Sequence, residues 1–284
     1  MNSFIIRFSR LIKATNIFCK LNSYSLVLRS LLLKPDLVII VKGFSINYEL
    51  LEKYKISYSI YLWDSIENLF RNGGYYVNNA SKVQSFDPDD CKKYGFQYLP
   101  LFHFRDADLS DLRCNVSKPY NFSIYGNYAP KRIDVLLKNE GLEIDHFITM
   151  PIVTFLIELF RFRIPPKILF KYIRIIPLKR KKIESLLSNS DFTIDIADAN
   201  QSGMTMRTIE AMSHSTGLIT NNLRSYEFFK LHGIPVILDS FDDCDLQKIT
   251  VSFEDVKIDK LKESIIEYSI DSFIKKIIKY SLKK

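Results

Sequence analysis

Short, continuous apolar runs separated by stretches with helical periodicity recur along this chain, and that alternation constrains its fold more than any other feature. Leu37–Val41 (LVIIV), Ile56–Leu62, Lys82–Phe86 and Tyr98–Leu101 read as strands, with helices over Tyr48–Tyr54, from Asp64 and over Pro88–Tyr94 between them. The pattern restarts at Phe122–Tyr125, continues through a helix at Lys131–Asn139, and adds strands at 144–149, 191–196, 217–220 and 235–238. Helices near 205–213 and 224–231 separate the last of these. Strands that alternate with helices pair in parallel, because a parallel connection needs a crossover. The continuous Leu37–Val41 run predicts a strand buried on both faces.

Two such series imply an α/β protein with two lobes and a cleft between them. Residues 1–108 form the first and 120–256 the second, the polar, aperiodic segment 109–119 serves as linker, and a lysine-rich helix over 257–284 closes the chain. The N-terminal 4–33 reads as a basic amphipathic helix, and 151–188 as a helical region. With 284 residues, 47% of them hydrophobic, the chain has apolar material for two cores.

Several classes are disfavoured. Arg7, Arg10 and Lys13 interrupt the apolar runs of the N-terminus, so no ~7–15-residue signal core forms. Charges and prolines likewise break Phe147–Ile176 short of the ~20 residues needed to span a bilayer. The four cysteines (Cys19, Cys91, Cys114, Cys244) and four histidines share no ligand spacing, which speaks for a reducing cytoplasm, no structural zinc and no HExxH or Ser/His/Asp chemistry. Neither a P-loop nor G-x-G-x-x-G is present. A net charge of +8 favours anionic partners.

Ligands of open α/β sheets bind at the carboxyl ends of strands. Lys42-Gly43, Trp63-Asp64, Phe86-Asp87, Gly126-Asn127, Asp195–Gln201 and Asn221-Asn222 fall there. The densest group is Asp195–Glu210 (DIADANQSGMTMRTIEA), where a strand leads through a Gly-containing turn into a helix. A helix start offers unpaired N–H groups and the positive dipole end, so an anionic group such as a phosphate can sit there. Thr205 and the helix start would take phosphate oxygens, Arg207 would offer a fork to a diphosphate, and Glu210 would accept ribose or sugar hydroxyls. The plainer alternative makes Met206, Ile209 and Met212 core and pairs Arg207 with Glu210 on a surface.

Other positions admit two readings each. Asp87-Pro88-Asp89-Asp90 resembles a metal-binding D-x-D, but Asp at a cap with Pro at the first helical position is a helix-start signature, and that is the stronger reading. Asp64 either caps a helix or presents a carboxylate as a base. Lys131 and Arg132 are unfavourable cations at a helix N-terminus unless an anion is bound, which favours a role beside Gly126 in holding a diphosphate. Arg161–Lys182 interleaves cations with aromatic residues, as a solvated helix face, a membrane-surface patch or, less well, a nucleic-acid groove would.

Taken in order, Val41-Lys42-Gly43, YLWDSIENL at 61–69, SFDPDDCKKYGFQYLPL at 85–101, Tyr125-Gly126 with Arg132, Asp195–Glu210, LITN at 218–221 and Glu267–Ile278 resemble the bacterial lipopolysaccharide-core and capsule glycosyltransferase-like proteins of the CgeB-related group. The resemblance covers most of 37–280. It implies two Rossmann-like lobes of the GT-B kind, sugar transfer from a nucleotide-diphosphate donor to a surface glycan or glycolipid, and no cofactor or required metal. By the same resemblance the donor site lies in the second lobe, and Gln201, Gly203, Thr205, Arg207 and Glu210 belong to it. Gly126, Lys131, Arg132, Asp195 and Asn221 join it from the residue reading, Asp64 is the candidate base, and nucleic acid is not an expected partner. Such proteins open with a strand and Gly-rich turn, whereas residues 1–36 here read as basic helix, so the first lobe is expected to be shortened. A non-catalytic sugar-nucleotide-binding or assembly protein is the alternative that this departure supports.

Overall fold

The computed structural model describes residues 15–42, 46–67, 80–104, 121–199, 201–249 and 257–282, and the chain divides into two compact units. The first comprises residues 1–101, 199–203 and 271–284, the second 102–198 and 204–270. The proposed linker 109–119 lies outside the described residues.

In the first unit, helix α1 (Thr15–Leu33) precedes strand β1 (Val38–Val41). Helix α2 (Tyr48–Lys53), β2 (Tyr58–Leu62), β3 (Val83–Ser85), α3 (Pro88–Tyr94) and β4 (Gln97–Tyr98) follow. The four strands form one parallel sheet in the order β1-β2-β3-β4. β2 is buried along its whole length, as its central place requires. β1 is not: Ile40 is buried while Ile39 and Val41 are exposed. Among the described residues it is an edge strand, whose Ile40 joins Val27, Leu51 and Ile60 in the core. The expectation of burial on both faces fails because an apolar run does not tell an edge from a centre.

The second unit begins with β5 (Phe122–Asn127), α4 (Pro130–Lys138) and β6 (Ile144–Thr149). The helical region expected over 151–188 is broken into α5 (Ile152–Arg161), α6 (Pro166–Tyr172), a short strand β7 (Ile173–Arg174) and α7 (Arg180–Asn189). Pro165-Pro166 and Pro177 supply the breaks, since proline removes a donor and crowds the preceding turn. Then come β8 (Phe192–Asp195), α8 (Met206–Ser213), β9 (Gly217–Thr220), α9 (Leu223–His232), β10 (Val236–Leu238) and α10 (Ile258–Glu267).

Six parallel strands here run in the order β10-β9-β8-β5-β6-β7. β5 enters first, β6 and β7 build outward on one side, and β8 returns to pair on its other side. The reversal makes the β5/β8 junction a topological switch point, where the carboxyl ends leave a crevice. Phe122, Ile124, Phe192, Ile194 and Ile219 form the core beneath it.

The closing helix is two helices, α10 and α11 (Ile270–Leu282). Between them Tyr268 O accepts from His103 N, and Ile270 N donates to His103 O, so this backbone pairing replaces a turn of helix.

Candidate functional site

Strands β5 and β8 end side by side at Tyr125-Gly126-Asn127 and Asp195-Ile196. Asp195 is fully buried, and among the described residues its carboxylate accepts from the cap and first turn of the helix that follows. Arg207 Nε donates to its Oδ1 at 2.8 Å, while Thr205 Oγ1 and Thr208 Oγ1 donate to its Oδ2 at 2.6 and 2.9 Å. Thr205 also caps α8, accepting from Thr208 N at 3.2 Å. Its proton is therefore committed to Asp195 and one of its two lone pairs to the helix. Thr205 thus holds the carboxylate that pairs with Arg207, and a phosphate oxygen would have to compete with Asp195 for its proton. Thr208 Oγ1 is linked further to Ser225 Oγ at 2.8 Å.

Arg207 pairs with Asp195 and not, as the plainer sequence alternative had it, with Glu210. Its Nη2 donates to Ile196 O at 3.2 Å. A Cβ at Gly126 would stand 3.1 Å from Arg207 Nη1, and Gly126 has φ of +129°, so both sterics and backbone require glycine. Burial is the largest single influence and works against the charge on Arg207, but Asp195, Tyr125 and Glu210 together outweigh it and hold the guanidinium above its ordinary value.

A second guanidinium shares the place. Arg132, in the first turn of α4, is 8% exposed and donates to Asn127 O and, at 3.3 Å, to Ile196 O. Its Nε is buried with no hydrogen-bond partner among the described residues. Burial first and the neighbouring Arg207 second push its pKa down to about 9, against the pull of Asp195. Two cations therefore meet at the Ile196 carbonyl, and only one of them is paired with the buried Asp195 carboxylate. Such an excess of positive charge at the positive ends of α4 and α8 is costly when empty and favourable to an anion.

Glu210 takes the hydroxyl of buried Tyr125 at 2.8 Å. Burial raises its pKa to about 7, with the Tyr125 hydrogen bond and Arg207 opposing. The same burial, with Glu210 beside it, keeps the Tyr125 phenol well above its ordinary value.

The remaining candidates make other contacts. Lys131 turns outward to Asp242 at 3.3 Å, because adjacent helical residues point about 100° apart, so Arg132 alone of the two reaches the cluster. Asn221 clamps backbone: its Oδ1 accepts from Ala197 N at 2.8 Å and its Nδ2 donates to Ala197 O at 3.2 Å. Gln201 and Gly203 belong to the first unit, where Gln201 Nε2 donates to Gly203 O. A Cβ on Gly203 would come within 2.6 Å of Phe86 O, so its glycine is demanded by packing. In that unit Asp87 caps α3 through Asp89 N and Asp90 N, and also accepts from Ser202 N, Ser202 Oγ and Gly203 N. That full set of donors fits the cap reading, and among the described residues no group of side chains is arranged to hold a metal. Asp64, past the end of β2, forms an ion pair with Lys42 at 2.7 Å.

Sequence reasoning gave no role to Tyr125, Thr208 or Ser225, although the first two lie in motifs it singled out. Tyr125 precedes the flagged Gly126 and Thr208 stands three residues after Thr205, so strand-end and capping patterns contained a signal for both. Ser225 had none, since it is brought in by α9.

The two parallel sheets with their crossover helices are the two Rossmann-like lobes of a GT-B-type fold. No family model and no curated protein matches the chain. Solved structures do: HepE of Anabaena in complex with UDP-glucose is 12% identical, with 90% of this chain and 80% of that one covered and a TM-score of 0.57. A glycosyltransferase from Rickettsia africae is 12% identical over 95% and 82% of the two chains, with a TM-score of 0.54. AviGT4, a glycosyltransferase involved in avilamycin A biosynthesis, is 12% identical over 87% and 73%, with a TM-score of 0.51. At these identities the likeness is one of fold.

Proposed function

We propose that the protein is a glycosyltransferase that moves a hexosyl group from a nucleotide-diphosphate donor to a glycan or glycolipid acceptor of the cell surface, such as a lipopolysaccharide core or capsule. The observation that carries this reading is the meeting of two buried guanidiniums at the switch point of the sheet, where Arg132 and Arg207 both donate to Ile196 O beside Gly126 and only Arg207 is paired with the Asp195 carboxylate. When the sugar–phosphate bond breaks, negative charge grows on the departing diphosphate. Two guanidiniums held in place beforehand stabilise that charge without reorganising. Arg207 presents Nη1 beside Gly126, Arg132 brings its unsatisfied Nε, and the first turn of α8 adds its dipole. Glu210 accepts hydroxyls of the ribose or sugar. Asp64 is assigned the proton of the acceptor hydroxyl, a role that requires its bond to Lys42 to open or be shared. The GT-B fold, and a neighbour of that fold in complex with UDP-glucose, agree with a nucleotide-sugar donor.

Replacing Arg207 by Ala would strand a buried carboxylate, at a cost of roughly 3–5 kcal/mol, so loss of activity alone would be ambiguous. Arg132→Met is the cleaner variant: it removes a desolvated cation with an unpaired Nε and relieves repulsion on Arg207. The expected outcome is equal or higher stability with donor affinity lower by about tenfold or more, read by calorimetry against a panel of nucleotide sugars. Unchanged affinity for a donor that the wild type turns over would overturn the assignment. Donor binding without transfer or hydrolysis by the wild type would identify a binding protein instead.

A further inference from the structure

Residues 152–182 contain nine Lys or Arg and one Glu, so this segment carries a net charge equal to the +8 of the whole chain, and the remaining residues balance one another. The same segment exposes three of its four phenylalanines. On α5, Ile152, Leu156 and Phe160 lie four apart with Val153 and Ile157 beside them, all exposed, while Phe155 on the opposite face is buried in the core. Phe160 is 78% exposed, Phe162 74% and Phe170 64%. Phe162 holds a left-handed backbone, φ 49°, at the end of α5, a conformation that costs a non-glycine residue energy and here ends in an exposed aromatic ring. Phe170 of α6 meets Phe155 edge to face at 5.7 Å, which ties the two helices into one hairpin. Arg161, Arg163, Lys167 and Arg174 are exposed around this face, and the Lys179–Lys182 run follows it.

An outward apolar stripe bordered by cations has the chemistry of a bilayer interface. Apolar side chains enter the acyl boundary, while Lys and Arg reach anionic headgroups from flexible stems. A second copy of this face would bring one +8 segment against another, which disfavours self-association. No helix among the described residues is long and apolar enough to cross a membrane, so the contact is one of lying on the surface.

We propose that α5, Phe162 and α6, with the Lys179–Lys182 run, form a docking surface for an anionic lipid bilayer. The inference is independent of whether the Arg132–Arg207 site takes a nucleotide sugar.

Flotation with vesicles of phosphatidylcholine, with and without phosphatidylglycerol, tests it on the full chain. Expected is binding to the anionic vesicles, weak binding to the neutral ones, and loss of binding as salt is raised beyond ~0.1 M, where the Debye length is about 10 Å. Phe160→Ser with Phe162→Ser should lower anionic-vesicle affinity by about tenfold or more, because the apolar insertion is lost while the charge is kept. Lys181→Glu with Lys182→Glu should lower it without removing the residual binding to neutral vesicles. These side chains are exposed, so unchanged melting temperatures are expected and separate docking from misfolding. Equal binding to both vesicle types, no binding to either, or affinity indifferent to both double variants would overturn the proposal. So would self-association, or tight nucleic-acid binding that the Phe160/Phe162 variant leaves intact.

Discussion

Glu210 is a carboxylic acid whose environment sets its charge close to neutrality. Burial, offset in part by the Tyr125 hydroxyl and Arg207, lifts its pKa to about 7. Because the folded value lies above that of the unfolded chain, the native state keeps a proton that the unfolded state has already released. The stability this supplies is complete below the ordinary carboxylate range and lost as pH rises through about 7. Glu210→Gln accepts the same Tyr125 hydrogen bond without titrating. Relative to that variant, the wild type should lose on the order of 1–3 kcal/mol between pH 5 and pH 8, read by urea denaturation at both values. Parallel pH profiles for the two proteins would refute the buried-acid account. At this scale the identity of Arg207 and Arg132 as candidates was legible from residue type and position. Their partners were not, because helical spacing pairs Arg207 with Glu210 equally well.

At the scale of elements, the start of α8 does two jobs at once. Thr205 closes the helix through Thr208 N and holds Asp195 through its own proton. Thr205→Ala should therefore cost more than an ordinary cap, roughly 2–4 kcal/mol, since it also deprives a buried carboxylate of a donor. Thr205→Ser should recover most of the loss, and thermal denaturation of the pair distinguishes capping chemistry from shape. Helix starts were readable in the sequence where chemistry is local, as at Asp87-Pro88, whose cap forms as its residue types predict. Elements were misread where the decisive partner is remote. Among the described residues β1 is an edge strand despite its continuous apolar run, and Gly203 is a glycine because Phe86 approaches it, 117 positions earlier in the chain.

For the whole molecule, the relevant quantity is the free energy linked to an anion at the β5/β8 junction. A nucleotide diphosphate at ~100 times its dissociation constant should raise stability by about 2.7 kcal/mol, while the free nucleoside should give little. Differential scanning calorimetry over a nucleotide-sugar series measures this, and equal shifts for nucleoside and diphosphate would mean that the cation pair is not the binding determinant. Hydrogen exchange should show the added protection at Asp195–Ile196 and the first turn of α8.

The sequence by itself determined the alternation of strands and helices, hence two parallel sheets, the strand ends where polar residues gather, and the concentration of charge in 152–182. These properties follow from periodicity and composition within windows of a few residues. Only the tertiary structure decided that β8 returns to β5, that Arg132 and not Lys131 faces inward, and that Arg207 turns to Asp195. Those outcomes depend on pairing between residues far apart in the chain. Burial, which shifts the charges of the site, exists only once that pairing has been made.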